Sequence, residues 1–137
     1  MKISTFKAQS NISETLIDAV VIQLGGAESF KESAIDIANH GIDGGFHGFI
    51  YYTDTVEFAK KHRKAIMDYA EEMAKEFGQS GALEMIAGFN CLNGDYSQSE
   101  VAEAIYNDSD NSEQVLNALA WFIAEEVARA YSDACEK

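Results

Sequence analysis

The strongest constraint on the fold is an apolar line near the C-terminus. Leu116, Leu119, Ile123, Val127 and Ala130 recur at helical spacing, and Trp121 and Phe122 widen the line. Apolar residues repeating every three or four positions mark a helix that buries one face. A helix from Ser112 or Glu113 to about Ala134 follows, the most apolar of the chain and expected at the centre of the core. Glu125 and Glu126 interrupt it, one expected to face solvent and the other to flank the buried stripe.

The remainder shows the same periodicity, punctuated by glycine and never by proline, which is absent. Asn11 followed by Glu14 has the spacing of an N-cap with its reciprocal acid, and a helix is predicted from there to Leu24, closed by Gly25-Gly26. Phe30, Ala34, Ile37 and Ala38 predict a helix from Ala27 or Ser29 to His40, with Gly41 after it. Thr53, Asp54 and Thr55 are three successive capping residues before a helix from about Val56 to Phe77, ended by Gly78. Its buried stripe is read as Val56, Ala59, Ile66, Ala70, Met73 and Phe77. A shorter helix runs from Ala82 to about Asn90, and Asn93-Gly94-Asp95 is a turn. Ser97 and Glu100 form a capping box for a helix from Gln98 to about Tyr106. Residues 1–10 are read as an extended or frayed lead-in, and Asn107–Asn111 as a polar loop.

The stretch from His40 to Thr55 does not fit this pattern. It reads H-G-I-D-G-G-F-H-G-F-I-Y-Y-T-D-T. Phe49–Tyr52 has the aromatic and β-branched composition of a strand, and a lone strand must pair with something to satisfy its backbone. The expected fold is therefore mainly α: five or six helices in one compact domain over residues 1–137, with one short extended segment at Phe49–Tyr52. An α+β fold with a small sheet is the alternative. Gly44-Gly45-Phe46-His47-Gly48 lacks a capping or core explanation. Three glycines in five residues carry an ordering cost, so Gly44, Gly45, Phe46, His47 and Gly48 are the candidate binding residues.

His40, Asp43, His47, Asp54 and His62, with Glu125 as a further candidate, have the ligand chemistry of zinc or non-haem iron. Their spacing matches no motif with a mechanism behind it. His40 in a last helical turn also has an ordinary explanation in the helix dipole. The glycine segment is not a phosphate loop, since a strand is predicted after it and no helix N-terminus faces the anion. Cys91 with a distant histidine could form a nucleophilic pair, but a thiol at the end of an apolar helix is usually a small hydrophobe. No cofactor is expected.

The net charge of −13, from 23 acidic and 10 basic residues, disfavours direct binding to nucleic acid or anionic membranes. It permits a basic protein partner, including one with a DNA-binding surface, and it also simply maintains solubility. Candidates for an acidic array are Asp18, Glu28, Glu32 and Asp36, then Asp95, Glu100, Glu103, Asp108, Asp110 and Glu113. Lys60, Lys61, Arg63 and Lys64 are a basic cluster that later acids on the same helix can pair with. No secretory leader or membrane span is read, and Cys91 and Cys135 lack metal spacing, so a cytoplasmic location with reduced thiols is expected.

Three stretches together, Gly44–Thr55, Leu83–Tyr96 and Asn117–Arg129, resemble a family of small uncharacterised proteins carried by phages and bacterial mobile elements. The similarity runs from about residue 28 onward and implies a setting without a mechanism. Gly44-Gly45-Phe46 and Phe49 more loosely resemble the ArdB/KlcA antirestriction proteins, small acidic single domains with more strand than is expected here; no functional residue carries over. The resulting expectation is a non-enzymatic acidic accessory protein that binds a host protein. A small metal-dependent enzyme using His40, Asp43, His47 and Asp54, and a structural homo-oligomer paired through the strand, are the alternatives.

Overall fold

The computed structural model describes residues 1–40, 52–89, 92, 94–107 and 112–136. Among the described residues there are seven helices and no strand: α1 (Ile3–Gln9), α2 (Glu14–Gln23), α3 (Ala27–His40), α4 (Tyr52–Glu76), α5 (Ala82–Ala87), α6 (Gln98–Asn107) and α7 (Ser112–Glu136). The chain is thus mainly α, with more helices than the five or six expected. Phe49–Tyr51 lie outside the described residues, and Tyr52 is the first residue of α4, not the end of a strand. The chain clusters into two compact units, Met1–Tyr51 with Ile123–Lys137, and Tyr52–Phe122.

In the first unit, Tyr131 of α7 organises the packing. Its ring meets Phe6 edge-on at 5.3 Å and Phe30 at 5.2 Å, and its hydroxyl donates to the Met1 carbonyl at 3.1 Å. Those contacts account for α1, read from sequence as a frayed lead-in. A helix of seven residues is not stable alone, but this one buries Phe6 at 1% exposure. Lys7 ties it to Asp18 of α2 at 2.9 Å, and that bond raises the lysine's pKa.

The cap of α2 is Ser13, whose hydroxyl accepts from Leu16 N at 3.3 Å, rather than Asn11. The predicted stop is as expected. Gly25 and Gly26 have φ of +94° and +103°, and their amides donate to Ile22 and Val21 carbonyls at 3.0 and 2.9 Å. That paired pattern closes a helix through a left-handed residue. α3 then buries Phe30, Ala34 and Ile37.

In the second unit, α4 starts four residues earlier than Val56, the predicted start, and buries Val56, Ala59, Ile66 and Ala70 as the periodicity predicts. Phe77 does not join them; it is 66% exposed. It follows the last residue of α4, where Gly78 at φ +74° turns the chain, so the helical register no longer aims its side chain inward. Glu71 of α4 accepts from Ala82 N at 3.0 Å and supplies an acceptor for the first turn of α5. Arg63 donates to the Ile105 carbonyl at 2.7 Å, near the end of α6. The predicted capping box of α6 is formed: Glu100 N donates to Ser97 Oγ at 3.2 Å, and Ser97 N to Glu100 Oε1 at 3.1 Å. Phe122 of α7 packs against Phe89 and Tyr69, with centroids 5.9 and 6.2 Å away.

Candidate functional site

Gly44, Gly45, Phe46, His47 and Gly48 lie outside the described residues, as do Asp43, Cys91, Asp108 and Asp110. The structure describes the flanks of that stretch. His40 ends α3 and is exposed, where a cation suits the helix dipole. Asp54 is exposed in the first turn of α4, where an acid suits it. Among the described residues, no three or more His, Cys, Asp or Glu side chains are grouped to hold a metal.

Thr55 does something other than the capping role read from sequence. It is fully buried inside the first turn of α4, and its hydroxyl donates to Oδ1 of Asn117, itself 7% exposed. A polar pair in an apolar interior persists only when each group finds a partner. Asn117 shares its helix face with Trp121, one turn further along α7. Trp121 Nε1 is buried and has no hydrogen-bond partner among the described residues. The sequence signal for this feature was an asparagine inside the apolar line of α7, between Leu116 and Leu119.

The remaining titratable candidates have packing roles. His62 is half-buried, with its ring 4.9 Å from that of Phe58. Burial, with Lys61 as the lesser cause, lowers its pKa and favours the neutral ring. Glu125 and Glu126 are both half-buried, so neither is the solvent-facing member expected. Glu125 pairs with Arg129 at 2.5 Å, its side chain 12% exposed. Cys135 is an exposed free thiol. Burial, a bond with Cys135 and nearby negative charge push the Tyr131 hydroxyl up to about 12.

Two outward faces carry closely spaced charge. On α3, Glu28, Glu32 and Asp36 are exposed at successive four-residue steps, with Ile35 beside them at 43% exposure. Four-residue steps place these carboxylates about 6 Å apart along the axis. The one ion pair in this row is Glu28 with Lys31 at 3.6 Å, among the described residues. On α4, Lys60, Lys61 and Lys64 are exposed, and Lys64 pairs with Asp68 at 3.0 Å. Of the other predicted acids, Asp18 is spent on Lys7, while Asp95, Glu100, Glu103 and Glu113 are exposed across the second unit.

These features describe a small, mainly helical acidic protein, none of whose described helices is long and apolar enough to cross a membrane. The chain belongs to a family described as a domain of unknown function, DUF7222, whose model matches residues 10–137. No curated protein and no solved structure matches it.

Proposed function

We propose that this chain is a non-enzymatic accessory protein of phage or mobile-element type, which acts in the cytoplasm by binding a host protein with a basic, DNA-binding surface. The observation that supports this most is the α3 face, where Glu28, Glu32 and Asp36 stand in a row beside exposed Ile35. Like charges four residues apart each cost a helix about 0.2–0.5 kcal/mol. A row of them with an exposed aliphatic side chain suits a basic surface, because charge complementarity steers and orients an encounter.

The test uses the tagged full-length chain in host lysate. Capture of one basic protein, weakened by salt and displaced by duplex DNA, is expected, and the Glu28→Lys/Glu32→Lys/Asp36→Lys variant should lose it. Capture unchanged by that reversal would remove the α3 face from the reading. Stoichiometric zinc or iron in the purified protein would replace the reading with the metal-enzyme alternative.

A further inference from the structure

The outer face of α4 carries a charge order that is antisymmetric about Ile66. Lys64 lies two positions before Ile66 and Asp68 two after it. Lys61 and Glu71 are each five positions away, and Lys60 and Glu72 are each six. Glu57 and Lys75, nine positions to either side, repeat the relation with the signs exchanged. At 3.6 residues per turn these positions fall within an arc of about 120° and span about 27 Å. Every one of them is exposed, and Ile66 itself points the opposite way and is fully buried.

Pairing within the helix accounts for little of this pattern. Among the described residues, Lys64–Asp68 is the one ion pair formed on this face, and both side chains are mostly exposed. The side chains of Lys60, Lys61, Glu57, Glu72 and Lys75 form no ion pair among the described residues. Glu71 accepts from Ala82 N at 3.0 Å.

We infer that the outer face of α4 docks antiparallel on the same face of a second copy of this chain. In an antiparallel pair related by a two-fold axis at the level of Ile66, each position faces one equally far beyond the axis on the other helix. The lysines at 60–64 then lie over the acids at 68–72, and Glu57 lies over Lys75. An isologous contact requires this self-complementarity. A partner of a single charge sign would be repelled by half of the face, as in helix pairs whose flanking charges select orientation. The net charge of −13 on each copy opposes association at long range. At about 0.15 M salt, however, screening over about 8 Å suppresses distant repulsion more than contact pairs. The inference does not depend on the proposed host partner, which would use α3.

Sedimentation equilibrium of the full-length chain at about 0.15 M salt tests it. The wild type should show a monomer–dimer equilibrium below about 1 mM, the range of weak complexes. Lys60→Glu/Lys61→Glu/Lys64→Glu and Asp68→Lys/Glu72→Lys, each alone, should dissociate at least about tenfold more readily. An equimolar mixture of the two variants should restore a dimer containing one of each. Circular dichroism verifies that the variants keep their helices, and Lys60→Glu alone tests the same contact if a multiple variant unfolds. A wild type that stays monomeric throughout overturns the inference, and so does a lysine-reversed variant that dimerises as well as the wild type.

Discussion

α3 hides Phe30, Ala34 and Ile37 and shows solvent three acids around Ile35, whereas α4 hides Ala59, Ile66 and Ala70 and shows lysines followed by acids. Their inner faces obey one rule: apolar residues at helical spacing pack against neighbouring elements. Their outer faces differ in kind. The acids of the α3 row, Glu28, Glu32 and Asp36, have one sign, with Lys31 set against Glu28 alone, so the same row of a second copy is a poor complement. The α4 face contains both signs in mirrored order, so another α4 is a suitable complement. Two helices of the same amphipathic design can therefore be directed to different partners by charge order alone.

The largest test asks whether the inner faces are as equivalent as they look. Phe30→Ala should cost about 3–5 kcal/mol and Ile66→Ala about 2–5 kcal/mol, since both side chains are fully buried. Urea unfolding measures both. A loss below 1 kcal/mol at either position would show that this face is not packed as described.

A second, smaller effect distinguishes the two interiors. The start of α4 is held partly by polar chemistry, through Thr55 and Asn117. Asn117→Ala removes the acceptor of a buried hydroxyl and should cost about 1–3 kcal/mol. Replacing both partners with Thr55→Val/Asn117→Leu should cost less than the two single changes added together, because the buried hydroxyl and the oxygen it donates to are then removed together. Additive losses in the double-mutant cycle would mean that the pair is not coupled.

How much of this was readable in the sequence depends on how local the cause is. Gly25-Gly26, Gly78 and the Ser97–Glu100 box were legible because each acts within one turn of its own helix. The core stripes of α3, α4 and α7 were legible because periodicity records burial directly. α1 was not, because Phe6 and the Met1 carbonyl depend on Tyr131 at the other end of the chain. Thr55 was read as a cap because threonine before an apolar run usually is one, and its true partner, Asn117, is distant in sequence. Tyr52 has a strand-forming composition but opens a 25-residue helix, whose length and packing outweigh one residue's preference. The candidate site was legible only as an anomaly of composition, and its five central residues lie outside the described residues.

The smallest effect sharpens the comparison of outer faces most, because one chemical change should have opposite signs on the two helices. Glu32 has Glu28 and Asp36 one turn away on either side. Glu32→Lys exchanges two repulsions for two attractions and should stabilise the chain by roughly 0.5–1 kcal/mol. Glu57 has Lys60 and Lys61 within the next turn, so Glu57→Lys should destabilise by a similar amount, roughly 0.5–1 kcal/mol. Both positions are exposed, so burial contributes little to either difference. Thermal or urea unfolding at low salt, repeated at about 1 M salt where screening shortens to about 3 Å, should show the two shifts diverging and then collapsing together. Shifts of the same sign would mean that local charge order does not distinguish α3 from α4, and the contrast drawn between their outer faces would fail with it.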